Sequence, residues 1–184
     1  MISNNSENQR DRLKEKTIEE VVSFWYTYNQ LFKSANFYRH LNQSISLLTA
    51  ILGGVLTYGL IWDGISNTLM IGFAVLISVL SGFRSALRPA DKQRKLREAA
   101  NEYKALCDEA KLILQLDFPD EEVSNEELNA RVRQIDENRR NLNKDTPDVS
   151  SLWYYYIKYR KSPAGLGEIT VSDTERAMIL GQDS

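Results

Sequence analysis

The fold of this chain is decided by residues 44–62, SISLLTAILGGVLTYGLIW, and residues 65–83, ISNTLMIGFAVLISVLSGF. Neither run contains a charged side chain, and little more than Asp63 and Gly64 joins them. At about 1.5 Å per residue, a helix over either run would be roughly 27 Å long, which matches a hydrocarbon core of roughly 30 Å. The two runs therefore predict a pair of helices that cross a bilayer as a hairpin.

Two buried helices in a soluble core are the alternative, because a helix that is apolar on every side can also lie inside a protein. Burying both would require wide apolar faces elsewhere in the chain, whose other helices offer only narrow stripes. We therefore expect the lipid bilayer to be a partner of this chain. The expected fold class is all-α: an integral membrane two-helix hairpin with long cytoplasmic helical extensions that form an antiparallel stalk or bundle.

Charged residues are distributed unevenly along the chain, although 23 basic and 25 acidic residues nearly balance overall. No Lys or Arg lies between the two runs, whereas basic residues flank both of them. By the positive-inside rule, we expect a multi-pass protein of the plasma membrane with both termini in the cytoplasm. The N-terminal segment is too polar for a signal peptide, so the first run would direct insertion itself. The membrane-flanking basic residues are Lys33, Arg39, Arg84, Arg88, Lys92, Arg94, Lys95 and Arg97.

The region before the first run divides at Thr17. Residues 1–16 have almost no apolar side chains and predict a disordered N-terminal tail. Thr17 and Glu20 fit a capping box at the start of a helix. Residues 17–116 would then hold the hairpin and its stalk, with helices over about 17–62 and 66–116 and a kink near residue 89.

Two heptad-like apolar stripes lie on either side of the hairpin and step by three and four residues. Because the hairpin returns the chain alongside itself, we expect the stripes to pack antiparallel, in the manner of a coiled coil. This packing would extend the hairpin into a cytoplasmic stalk. The first stripe contains Ile18, Val21, Trp25, Tyr28, Phe32 and Ala35, and the second contains Leu96, Ala99, Tyr103, Leu106, Ala110 and Ile113.

Two further regions follow the stalk. Residues 117–146 predict an acidic loop and a cytoplasmic helix, which Ser124 and Glu127 would open as a capping box. Residues 147–184 predict an aromatic short helix and a flexible C-terminal tail. The aromatic residues could lie at the membrane interface or pack on the stalk, and we favour packing. The stripe of the cytoplasmic helix contains Leu128, Val132, Ile135 and Leu142.

Motifs of catalysis and metal binding are missing from the sequence. There is no glycine loop for phosphate, no nucleophile elbow and no paired-cysteine metal site. The single histidine, His40, belongs to no catalytic or metal-binding motif. The single cysteine, Cys107, is predicted to be a structural thiol. We therefore expect no enzyme and no cofactor. A pI of about 5.6 gives no support for binding nucleic acid.

Small residues recur at every fourth position within both apolar runs. Such ridges let transmembrane helices approach closely. One ridge could close the hairpin while the other contacts another subunit of a homo-oligomer, or both could serve the internal contact. Hydroxyl groups at the same depth could bond to their own helix or face water in an assembled ring. The small-residue ridges are Ser46, Ala50 and Gly54 in the first run and Ala74, Ser78 and Gly82 in the second.

The layout of residues 24–116 resembles the SLATT family, a bacterial two-transmembrane-helix effector domain associated with SMODS nucleotidyltransferases and SLOG proteins. The likeness lies in the aromatic and basic approach WYTYNQLFKSANFYRHLN (residues 25–42), the minimal outer turn, and the basic exit FRSALRPADKQRKLREAANEYKAL (residues 83–106). It implies an inner-membrane effector of an antiviral conflict system.

Such an effector would oligomerise into pores, or otherwise permeabilise the membrane, and cause abortive infection by cell death or growth arrest. The trigger would come from a sensor or nucleotidyltransferase encoded nearby, because the chain carries no recognisable cyclic-nucleotide sensor. The alternative is a non-catalytic membrane anchor or scaffold that recruits a cytoplasmic partner.

Overall fold

The computed structural model describes residues 3–62, 66–151 and 153, with side chains from residue 8 onward. Within these residues the chain is all-α, as predicted, and contains no strand. The predicted aromatic segment 152–159, apart from Trp153, and the predicted C-terminal tail lie outside the described residues. The helices are α1 (Ser3–Ile61), α2 (Asn67–Leu87), α3 (Pro89–Leu112) and α4 (Asn125–Asp145), with a π-helical turn (Ile113–Asp117) after α3.

The chain divides into two compact units. The central unit is Ser34–Lys95 and contains the later part of α1, all of α2 and the start of α3. The terminal unit comprises Met1–Lys33 and Leu96–Ser184, and contains the first part of α1, most of α3, the π-helical turn and α4.

In the terminal unit, α1 and α3 make contacts that progress in opposite directions along the two helices. The Arg10 guanidinium reaches the carbonyl of Phe118, just after α3 and its π-helical turn. Further along α1, the ring centroids of Phe24 and Tyr103 lie 6.3 Å apart. All six residues of the second predicted stripe, five on α3 and Ile113 in the π-helical turn, are buried, which confirms the three-and-four spacing.

The stripe on α1 is shifted by one residue from the prediction at two positions. Phe24 and Leu31 are almost fully buried, whereas Trp25 and Phe32 are only half-buried. The aromatic rings instead form edge-on contacts along the rim, with Trp25 and Tyr28 at 6.5 Å. Ile18, Val21 and Ala35 are buried as predicted.

The predicted disordered tail is wrong for residues 3–16, because α1 begins at Ser3. Thr17 therefore lies inside the helix and does not cap it. Its hydroxyl donates to the Leu13 carbonyl oxygen at 2.7 Å, a bond to the preceding turn. Arg10 holds this first segment of α1 against the far end of the terminal unit.

The predicted break near residue 89 is confirmed. Helix α2 ends at Leu87, and Pro89 opens α3, a position where the missing N–H of proline costs no hydrogen bond. Arg88 between them adopts the left-handed conformation, with φ 43°. Its N–H donates to the Arg84 carbonyl at 3.1 Å.

Helix α4 begins where the capping box predicts. The Ser124 hydroxyl accepts a hydrogen bond from the Glu127 N–H at 3.2 Å. Along the predicted stripe, Leu128, Val132 and Ile135 are buried, and Leu142 is half-buried. Helix α4 therefore closes the core of the terminal unit through the face that the sequence indicates.

Candidate membrane-spanning helices and the Arg10 clasp

Two helical stretches in the described part of the chain are long and apolar enough to cross a membrane. They include residues 44–61 and 67–83, most of the two runs identified in the sequence. Only 17% of the most apolar window in the first stretch is buried, and none of the corresponding window in the second. The chain itself therefore does not cover these helices, as a soluble core would.

On the apolar part of α1, the buried residues lie on one narrow face of the helix. Ile45, Leu52 and Gly59, seven residues apart, are buried, and the other residues of the run within α1 are exposed, except for the half-buried Ser46, Thr49, Gly53 and Leu56. Ile61 is 79% exposed. Helix α2 has no buried residue at all, and its Ile71 is 66% exposed. Most of the apolar surface of the central unit is thus open to its surroundings.

The small-residue ridges lie on this open surface. Ser46 is half-buried, and the other five ridge residues are exposed. A Cβ atom built on Gly54 or Gly82 would meet nothing within 4 Å. Neither glycine is therefore used for a close helix approach within the described part of the protomer, and the role of the ridges in assembly stays a prediction.

Hydroxyl groups within the apolar helices bond to their own helix. The Thr49, Thr57 and Ser78 side chains donate to carbonyl oxygens four residues earlier, at 2.8, 2.9 and 2.9 Å. This arrangement satisfies each hydroxyl without a partner helix. It confirms the back-bonding interpretation for these three residues. Tyr58 stacks on Trp62, with ring centroids 5.4 Å apart.

Of the predicted membrane-flanking basic residues, Lys33 and Arg39 lie within α1, Arg84 lies on the last turn of α2, Arg88 lies between α2 and α3, and the other four lie within α3. Arg39 is half-buried, and the other seven are exposed. In the central unit, Lys92 Nζ lies 5.5 Å from the centroid of the Tyr38 ring, which brings the start of α3 against α1. The Nε of Arg39 and the Oδ1 of Asn42 are buried and have no hydrogen-bond partner among the described residues.

No sequence pattern predicts a role for Arg10, whose side chain connects the start of α1 to the segment after α3. Its guanidinium donates hydrogen bonds to four backbone carbonyls, those of Asp117, Phe118, Asp120 and Val123, at 2.6 to 3.1 Å. We call this arrangement the Arg10 clasp. Its partners lie 107 to 113 positions away, so no local pattern could have revealed them.

A buried carboxylate lies in the same unit. Glu20 is 5% exposed, and its Oε1 lies 3.6 Å from Lys16 Nζ. Among the described residues, its other oxygen, Oε2, has no hydrogen-bond partner, and neither does the buried Nε of Arg139. Burial raises the pKa of Glu20, an effect that the charges of Lys16 and Arg139 oppose.

Cys107 is 1% exposed, and its Sγ lies 3.7 Å from the Val21 carbonyl oxygen. Burial raises the pKa of this thiol to about 11. A thiol with so high a pKa is almost entirely protonated at neutral pH and is a poor nucleophile. The geometry therefore agrees with the structural role that the sequence suggested.

An open groove of about 390 Å³ lies beside the π-helical turn and is lined by Leu112, Leu116, Arg131 and neighbouring polar residues. Arg131 bridges Asp117 at 2.6 Å and Glu127 at 2.7 Å. Its charge is thus neutralised from both sides. Within the described residues, no group of three His, Cys, Asp or Glu side chains could hold a metal ion.

Comparison with protein-family profiles, curated proteins and solved structures found no match to this chain.

Proposed function

We propose that this chain is a two-helix protein of the bacterial inner membrane and acts as a membrane-permeabilising effector in antiviral defence. The apolar segments of α1 and α2 cross the bilayer as a hairpin, with both termini in the cytoplasm. The observation that carries the membrane assignment is the exposure of these helices: in the stretch that contains α2, none of the most apolar window is buried. Lipid would supply the apolar surroundings that the protein lacks.

In this proposal the terminal unit is the cytoplasmic stalk. Support comes from the antiparallel contacts of α1 with α3, including Phe24 with Tyr103, and from the helix α4 that closes the core. Helix α1 continues from the stalk into the first membrane segment without an interruption in its residue range, Ser3–Ile61. A trigger that repacks the stalk would therefore act directly on a membrane helix.

Permeabilisation requires several copies, because two helices cannot enclose a channel. Exposed small residues on both membrane helices support such assembly, since they allow close packing between subunits. The defensive role and the external sensor rest on the resemblance to the SLATT family across residues 24–116. The sensor or nucleotidyltransferase would be encoded by a neighbouring gene.

Membrane topology can be tested with single cysteines in a Cys107→Ser background. Asn67→Cys lies at the proposed outer end of α2, and Asn101→Cys lies on the exposed face of α3. A membrane-impermeant maleimide applied to intact spheroplasts should label only the first variant, whereas both should react after lysis. Labelling of Asn101→Cys in intact spheroplasts would reverse the orientation, and extraction by alkaline carbonate would contradict membrane insertion.

Assembly can be tested with glycine substitutions that the protomer has room to accept. Gly54→Leu and Gly82→Leu fill the ridges, and open space surrounds both glycines. Gly72→Leu is the matched control, because it also has open space but lies off the ridge on α2. We expect the ridge variants no longer to arrest growth, depolarise the membrane or cross-link as oligomers. The control variant should still do all three.

A non-catalytic anchor or scaffold is the second candidate. It is favoured by the hydroxyls of Thr49, Thr57 and Ser78, which are satisfied by their own helices and so leave less polar surface for a water-filled path. Liposomes containing the triggered, full-length protein distinguish the two candidates. An effector releases a trapped dye, whereas a scaffold leaves the liposomes intact and retains a partner protein from the cytoplasm.

A further inference from the structure

Three cations lie at the junction of α2 and α3 in the central unit. Arg84 is on the last turn of α2, Arg88 joins the helices, and Lys92 is on the first turns of α3. All three are exposed, and none forms an ion pair among the described residues. Asp91, in the first turn of α3, is the acidic residue of this stretch and offsets part of the positive charge.

Helix α1 contributes a fourth cation to the same neighbourhood. Lys92 Nζ lies 5.5 Å from the Tyr38 ring centroid, so the start of α3 lies beside Tyr38, and Arg39 is the next residue along α1. Arg39 Nε is buried without a hydrogen-bond partner among the described residues. A buried donor without an acceptor is unfavourable, so a ligand that supplies an oxygen to this guanidinium offsets part of that cost.

The surroundings of these cations identify the chemistry of the ligand. Phe83, one residue before Arg84, is 51% exposed, and the apolar surface of α2 continues from it. A ligand that joins a phosphate anion to acyl chains would contact both the cations and this apolar surface. Basic clusters at the cytoplasmic end of membrane helices are suited to such headgroups.

We infer that Arg39, Arg84, Arg88 and Lys92 form a binding site for the phosphate headgroup of an anionic phospholipid. This inference rests on the proposed membrane location and adds a lipid preference to it. The guanidinium groups supply paired donors for phosphate oxygens, and Lys92 supplies a single charge. The acyl chains lie along the exposed face of α2.

The test uses full-length protein purified in a non-ionic detergent and mixed with equal amounts of phosphatidylglycerol and phosphatidylcholine. Native mass spectrometry counts the lipids retained per protomer. The expected result is at least tenfold preferential retention of phosphatidylglycerol. Equal retention of the two lipids would overturn the inference.

A charge-removal variant carries Arg84→Gln, Arg88→Gln and Lys92→Gln together. Since a cation near the membrane surface contributes about 1 kcal/mol, each substitution should weaken phosphatidylglycerol retention about fivefold. The matched control carries Arg12→Gln, Lys104→Gln and Arg133→Gln, three exposed cations of the terminal unit. An equal loss in both triple variants would show a general charge effect and contradict a specific site.

Two further measurements separate the possible failures. Glycerol 3-phosphate that displaces the lipid completely at equal concentration would indicate a site for free phosphate esters and contradict lipid recognition. Alkaline carbonate extraction of the wild-type protein from cell membranes reports on the proposed function independently of lipid preference. A protein that resists extraction but retains both lipids equally would keep the membrane assignment and lose this inference.

Discussion

The Arg10 guanidinium donates two hydrogen bonds to the Phe118 carbonyl oxygen, from Nε at 3.1 Å and from Nη2 at 2.9 Å. Phe118 is buried and directly follows the π-helical turn. One side chain near the start of α1 thus satisfies carbonyl groups where α3 and its continuation end. Such carbonyls have no partner within the helix itself.

We expect Arg10→Ala to destabilise the terminal unit by about 1.5 kcal/mol, because hydrogen bonds from a charged donor contribute roughly 1.5–3 kcal/mol and Arg10 is only half-buried. Arg10→Lys should recover little, since an ammonium lacks the planar fork. Hydrogen exchange over residues 113–123 measures the effect. Arg12→Ala, on an exposed neighbour, is the control and should leave exchange unchanged.

Glu20→Gln should raise the stability of the terminal unit at pH 7. Burial raises the pKa of Glu20, so ionisation opposes folding, and the stability present below its ordinary pKa of 4.5 is lost as the pH rises through the folded-state value. The advantage of Gln should therefore disappear on acidification below pH 4.5. Denaturant unfolding at both pH values measures this change.

The exposed neighbour Glu19 provides the comparison for Glu20, because Glu19→Gln removes a charge without relieving a buried one. A pH-independent difference between Glu20→Gln and wild type would mean that the carboxylate is well solvated. Lower stability of Glu20→Gln at pH 7 would instead show that the contact with Lys16 outweighs desolvation.

The sequence predicts elements well where local pattern alone determines them. All six residues of the second stripe are buried, and the break at Arg88 and the cap at Ser124 lie where expected, because spacing, proline and capping chemistry act within a few residues. The predicted stripe on α1 is wrong at Trp25 and Phe32. Phe24 and Trp25 are both large and apolar, and only packing against Tyr103 selects Phe24.

Features that depend on distant residues could not be predicted. Residues 3–16 resemble a disordered tail by composition, but Arg10 finds acceptors more than 100 positions away. The unpartnered atoms of Glu20 and Arg139 likewise depend on how α1 and α4 pack. For the ridges, the sequence identified the small residues, whereas their exposure depends on which faces of the central unit are covered.

Cys107 should resist thiol reagents. Because burial raises its pKa to about 11, the reactive thiolate is scarce at pH 8. We expect N-ethylmaleimide to modify wild type at least a hundredfold more slowly than an Asn101→Cys, Cys107→Ser variant, whose thiol lies on an exposed face. Mass spectrometry of the intact protein follows both reactions.

The same thiol links stability to alkaline pH. The raised pKa means that Cys107 contributes stability below its ordinary value near 9, and that this contribution is lost as the pH rises towards about 11. The Cys107→Ser variant should therefore lose less stability than the wild type over this pH interval. If stability fell equally steeply in wild type and variant, the loss would come from other groups. Tyr103 is one of them, because burial also raises its pKa.

Backbone strain at Arg88 gives a prediction that is independent of its charge. Its φ of 43° is in the left-handed region, which costs a residue with a Cβ about 1–2 kcal/mol relative to glycine. Arg88→Gly and Arg88→Ala both remove the guanidinium, so their difference isolates the backbone. We expect the glycine variant to be more stable by about 1 kcal/mol in thermal unfolding of the detergent-solubilised protein.

Asn101 provides the control for Arg88, because the stability difference between its glycine and alanine variants should have the opposite sign. It is exposed within α3, where helical backbone favours alanine over glycine by about 1 kcal/mol. Asn101→Gly should therefore be less stable than Asn101→Ala. If alanine were preferred at both positions, residue 88 would continue the helix, and α2 and α3 would not be separated by a left-handed turn.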